Sequence, residues 1–165
     1  MGFGTLGCFG CVQAAMNTPK DGVLLGKGKG EWMNLHKSFG LVVAGLCLPR
    51  VALRLTTAVP AHLPGSALEH VAANASHLAM YVGMLGMSAT GLTMGLMGKG
   101  LPFFGATIPA LKTQVFADRP NGKTAGAAFK LHKTYGPYFE YLVPVHVGAV
   151  GYHMAKGQAI LKRIL

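Results

Sequence analysis

The sequence predicts an all-α membrane protein built on three transmembrane helices. Three observations carry that prediction. Charged residues make up only 12% of the 165-residue chain, about half the share of a soluble domain. Hydrophobic residues make up 51%, and the mean hydropathy is +0.40. The apolar residues are gathered into three stretches long enough to cross a bilayer, which takes about 20 residues. A disordered chain is excluded by the same composition.

Residues 1–30 are rich in Gly and Lys, without a sustained period, and predict a flexible N-terminal lead-in that ends in GKGKG. The membrane domain then runs over 31–165. Its first span covers about 32–55, with His36, Lys37, Arg50 and Arg54 near its ends, where long cationic side chains reach the headgroups. TTAVPAHLPGSAL is a Pro-rich connection. The second span, about 70–97, carries no charge, and its Gly91-x-x-x-Gly95 fits the small-residue pattern of closely approaching helices. In the 99–125 connection, LPFFGATIPAL is apolar but too short and Pro-interrupted to span, and predicts an interfacial segment. The third span covers about 126–155 and holds Pro137 and Pro144, which neighbouring helices can accommodate. The tail KGQAILKRIL predicts a short basic amphipathic piece at the surface.

The net charge of +10 would suggest nucleic acid in a soluble protein. Here the basic residues lie between apolar runs and predict a membrane surface, with no nucleic-acid partner. They are more numerous on the side holding 1–30 and 99–125, which the positive-inside rule turns toward the cytoplasm, stroma or matrix. Cys8, Cys11 and Cys47 give no disulfide framework. The N-terminus reads neither as a secretory signal nor as an Arg-rich transit peptide. Gly2 is not set up for myristoylation, because Leu6 stands where Ser or Thr is needed.

Seven histidines lie mostly in or beside the spans. LHKSFG at 35–40 is echoed by LHKTYG at 131–136, and both open an apolar run from the same side. His36 and His132 therefore stand at similar depth on two parallel helices, which is what a bis-histidine b-type haem needs. Lys37 and Lys133 would meet the haem propionates, and Gly40 and Gly136 would leave room for a flat macrocycle. The plainer alternative is two hydrogen-bonded histidines at helix starts; chlorophyll ligation is equally compatible with the pattern. Zinc would want four tight ligands, and nothing clusters that way.

His146 follows His132 by fourteen residues, about 21 Å along a helix. His77 enters from the opposite side to a comparable depth, so that His77–His146 is a candidate second pair, with His70 and His153 at headgroup level. Satisfied polar histidines would look the same. His62 is a surface loop residue. Glu140, deep in the third span, reads as a carboxylate paired with another helix or subunit. Cys8-x-x-Cys11 has no following His and no second pair, and reads as two plain thiols.

From about Trp32 onward the chain resembles the bacterial-type cytochrome b561 family. HKSFG running into PRVALRL, SHLAMYVGMLGMSATG, LPFFGATIPAL, LHKTYG, VHVGAVGYH and the tail LKRIL carry the resemblance, in order and in spacing. It implies a remnant of a four-helix bundle that holds b haems and passes electrons to quinones or other small redox partners. His36 and His132 match one haem's ligand pair, and His146 matches one ligand of the other. The family's partner to His146 lies on a first helix, for which 1–30 offers neither apolar length nor a histidine. Three outcomes stay open: His77 substitutes, another subunit supplies a ligand, or the second haem is lost. The resemblance also turns the His36 and His132 side outward, against the charge count.

The expected function is a membrane b-type cytochrome with one haem b, the His146 site being a doubtful second. It would be a subunit of a respiratory or photosynthetic complex in a bacterial inner, organelle inner or thylakoid membrane. The rival is a structural accessory subunit derived from a cytochrome. No nucleophile, triad or phosphate loop marks a conventional enzyme.

Overall fold

The computed structural model describes residues 1–58, 63–111, 122–158 and 160. Four helices carry the chain: α1 (Gly2–Asn17), α2 (Lys29–Thr56), α3 (Ala67–Leu96) and α4 (Lys123–Ala155). Two small antiparallel hairpins sit between them. One pairs β1 (Val23–Leu24) with β2 (Lys27–Gly28), and the other pairs β3 (Leu101–Phe103) with β4 (Ala106–Ile108).

The three expected spans are all helical, each starting about three residues earlier than expected. At α3 the cause is a capping box: Ser66 Oγ accepts from Glu69 N, and the Glu69 carboxylate accepts from Ser66 N. At α2 the Glu31 carboxylate accepts from Gly28 N at 2.8 Å. By length and composition α2 and α3 are apolar enough to cross a membrane. α4 is the longest described helix, and Lys130, His132, Lys133 and Glu140 interrupt its apolar residues.

Residues 1–30 differ from the expected flexible lead-in. α1 packs along α2 and reaches α4, where the Phe9 and Phe139 rings stand edge-on with centroids 5.7 Å apart. The stretch in which the resemblance left no helix is thus helical from Gly2 to Asn17. Small residues make this possible. A Cβ at Gly4 would stand 3.1 Å from Val43, and one at Gly7 would stand 3.1 Å from Phe39, so the two backbones approach through glycines. Thr5, Cys11 and Ala15 complete the buried face of α1.

LPFFGATIPAL is likewise more than an interfacial strip. Its first eight residues form the β3–β4 hairpin, turning on Phe104 and Gly105, both with positive φ (43° and 97°). Buried Ser38 of α2 clasps the turn. Its hydroxyl accepts from Phe104 N at 3.0 Å and lies 3.3 Å from Pro102 O. Residues 112–121, His62 and most of the expected amphipathic tail lie outside the described residues.

Beside buried Val43, Leu101, Phe139 and Val143, most of the interior is small and much of the exterior large. Cys47, Ala44, Ala125, Ala128 and Ser38 are buried, while Leu48, Leu53, Leu78, Val82, Tyr138, Tyr141 and Val147 face outward. A water-soluble bundle does the reverse. Only 11% and 6% of the most apolar stretches of α2 and α3 are buried, which sets them apart from the core helices of a soluble protein and suits lipid as the solvent.

α3 and α4 run antiparallel in a register that three contacts define. Thr90 meets His132, Gly83 meets Phe139, and Ser76 meets His146. Each step is seven residues, two turns, on both helices. The expected close approach at Gly91-x-x-x-Gly95 is redistributed. Gly95 makes room for Leu101 of the hairpin, and a Cβ at Gly91 would touch His132 at 3.5 Å. Between α3 and α4 the closest approach at a described glycine is at Gly83, where a Cβ would overlap the Phe139 ring.

Candidate haem site

His36 lies two turns into α2 and His132 nearly three turns into α4. The fold brings their rings together, with centroids 6.1 Å apart and planes at 85°. Metal–imidazole bonds of about 2 Å on either side of an iron, plus the half-widths of the rings, would put an axial pair about 6 Å apart. The spacing fits a shared metal.

Hydrogen bonding fixes where the protons sit. His36 Nδ1 stands 2.9 Å from Cys8 O. A carbonyl oxygen only accepts, so Nδ1 carries the proton. His132 Nδ1 stands 2.9 Å from Thr90 Oγ1. Thr90 has two carbonyl acceptors for its one hydroxyl proton within its own helix, Gly86 O at 2.7 Å and Met87 O at 3.1 Å. Toward the imidazole Thr90 can therefore only accept, and His132 is also protonated at Nδ1. In both neutral rings the lone pair falls to Nε2, the nitrogen that a metal takes when the other is anchored.

A second pair lies fourteen residues further along α4. His146 Nδ1 is 3.1 Å from Ser76 Oγ, and the His146 and His77 rings have centroids 5.4 Å apart with planes at 61°. His77 itself is exposed. The two residues expected to share this depth are brought together.

The other candidates are placed as follows. Lys37 and Lys133 are exposed, and among the described residues neither makes an ion pair or hydrogen bond. Gly136 lies against Met87, and Gly40 against the Cys8 sulfur. His70 bonds to Leu63 O at 2.9 Å, and His153 bonds to Gln158 at 2.6 Å. Glu140 is paired with another helix: Gln13 Nε2 of α1 donates to both its oxygens, at 2.8 and 3.0 Å. The three cysteines are free thiols.

Ahead of the apolar run of α3, Glu69 accepts from Lys156 Nζ at 2.7 Å and from Tyr152 at 2.9 Å. These bonds, the Lys156 bond foremost, lower its carboxyl from 4.5 to about 2, and the same contact raises the Lys156 ammonium.

Cys8, Thr90 and Ser76 were not legible as partners of the histidines. One signal was present. Ser76 and Thr90 are fourteen residues apart, as His146 and His132 are.

A family model described as prokaryotic cytochrome b561 matches residues 3–165, α1 included. No protein among those of curated function matches the chain.

Proposed function

The chain belongs to the prokaryotic cytochrome b561 family, and from that premise we propose a membrane cytochrome that carries electrons through one haem b held by His36 and His132. The observation that carries the reading is the spacing of the two rings together with an acceptor at each Nδ1. Two half-buried imidazoles 6.1 Å apart both keep their proton on Nδ1 and both offer a lone pair on Nε2. Two imidazoles at this spacing, each with Nε2 left to donate, suit a shared metal.

When bound, the haem supplies a one-electron couple at its iron. The protein's part is to hold and insulate it. His36 and His132 would hold it, each through a ring nitrogen. Cys8 O and Thr90 Oγ1 keep the rings in the ligating tautomer. Gly91 lies beside His132, where a Cβ would just reach van der Waals contact with the ring. Lys37 and Lys133, exposed one residue beyond each ligand, are free to meet propionates. Electrons would come from and leave to a quinone or another small redox carrier. Attachment to other membrane subunits belongs to the same reading.

The test is a reduced-minus-oxidised spectrum of the purified full chain in detergent, with extracted haem counted per chain. The expected result is a b-type spectrum that both His36→Ala and His132→Ala abolish while the helical content stays. A chain without haem, or a haem indifferent to both changes, overturns the proposal and leaves a structural accessory subunit of the family.

A further inference from the structure

We infer that α1 tunes this site through Cys8, whose sulfur sets how strongly His36 donates to the bound iron. The inference rests on the haem reading above and adds a positioning residue to it. Cys8 meets His36 at three points. Its carbonyl accepts the Nδ1 proton at 2.9 Å, its sulfur lies 3.2 Å from the same Nδ1, and its thiol donates to His36 O at 3.4 Å. The thiol proton is committed to the His36 carbonyl. Toward the ring, therefore, the sulfur can only accept, and the Nδ1 proton is shared between a carbonyl oxygen and a sulfur.

The close fit of α1 on α2 makes this possible. Gly4 and Gly7 let the helices approach, and Gly40 stands opposite the sulfur, where a Cβ would be 3.8 Å away. An acceptor on Nδ1–H makes an imidazole a stronger donor to its metal. A stronger axial donor favours the ferric state and lowers the reduction potential. A soft sulfur beside a hard carbonyl adds to that donation without drawing the proton off the ring.

The experiment is a potentiometric titration of the haem-loaded full chain, with the electron paramagnetic resonance of the ferric haem as a second readout. Cys8→Ala removes the sulfur and keeps the carbonyl, so the midpoint potential should rise and the ferric signal should shift. Cys8→Ser keeps an acceptor and should fall between Cys8→Ala and the wild type. Cys11→Ala, one turn along α1, is the control and should leave both readouts in place. A Cys8→Ala chain with full haem and unchanged potential overturns the inference, as does an equal shift in Cys11→Ala. If Cys8→Ala loses its haem, the Cys8→Ser potential decides: no shift overturns. A wild-type chain that takes no haem defeats the proposed function itself, a result that no Cys8 variant can mimic.

Discussion

His132 and His146 are held alike and faced differently. Each offers Nδ1 to a hydroxyl of α3, and the two hydroxyls repeat with the same fourteen-residue period. Opposite His132 stands His36, from α2, half-buried and gripped by α1. Opposite His146 stands His77, from α3 itself, exposed. The proton is fixed on both rings of the first pair. In the second, no other side-chain bond of Ser76 among the described residues settles which way the Ser76–His146 hydrogen bond runs. On the proposed reading, what separates the two layers is the set of groups that orient the imidazoles, to which α1 contributes at the His36–His132 layer.

The largest effect that would break this comparison is loss of the haem itself. His132→Ala should remove the b-type spectrum, whereas His146→Ala should leave it, as read by haem per chain. A reversed result would move the site to the other layer. Next is Thr90→Val, which takes away the acceptor on His132 without changing the side-chain volume much. Outer-shell losses of this kind cost roughly 10–100-fold in metal-site affinity. Haem titration should show that drop, and Ser76→Ala should show none at the His36–His132 site.

Gly83→Val sharpens the comparison by striking between the layers. Its side chain would press on Phe139, midway between His132 and His146. Overpacking of this kind costs about 1–3 kcal/mol, measurable as a lower thermal midpoint in detergent, with both hydroxyl–imidazole contacts disturbed together.

The smallest effect is at the far end, where Glu69, Tyr152 and Lys156 tie α3 to α4. Because the Glu69 carboxyl is lowered to about 2 in the fold, its stabilisation is present above its ordinary range near 4.5 and fades as pH falls from there through about 2. The pair is exposed to water, so the effect is modest. The thermal midpoint of wild type should exceed that of Glu69→Gln near neutral pH and converge with it at the acid end of this window.

The sequence made the long helices legible because hydropathy reports solvent, and lipid-facing residues dominate α2 and α3. α4 was legible despite its charges, since its apolar residues continue past them. The echo of LHKSFG and LHKTYG pointed to the His36–His132 pair, and depth arithmetic pointed to His77 beside His146. What stayed hidden depends on small side chains and on rotation. α1 is built on Gly4, Gly7, Cys8 and Cys11, which show no apolar period and have poor helix propensity among their glycines; packing against α2 makes the helix. The β1–β2 turn places Leu25 at φ 50° and the β3–β4 turn places Phe104 at φ 43°, where Asn or Asp would have announced a hairpin. The partners Cys8 and Thr90 depend on how each helix is turned about its axis, which residue spacing within one helix does not encode.

One detail of the His36 grip bears on how this chain can vary over evolutionary time. The acceptor that fixes the His36 proton is a main-chain oxygen, common to all twenty amino acids. No single substitution at position 8 deletes it. Thr90, by contrast, acts through its side chain and can be lost in one mutational step. A change at position 8 therefore removes the sulfur's share of the grip and leaves the main-chain share, which depends on Gly4 and Gly7 holding α1 this close to α2.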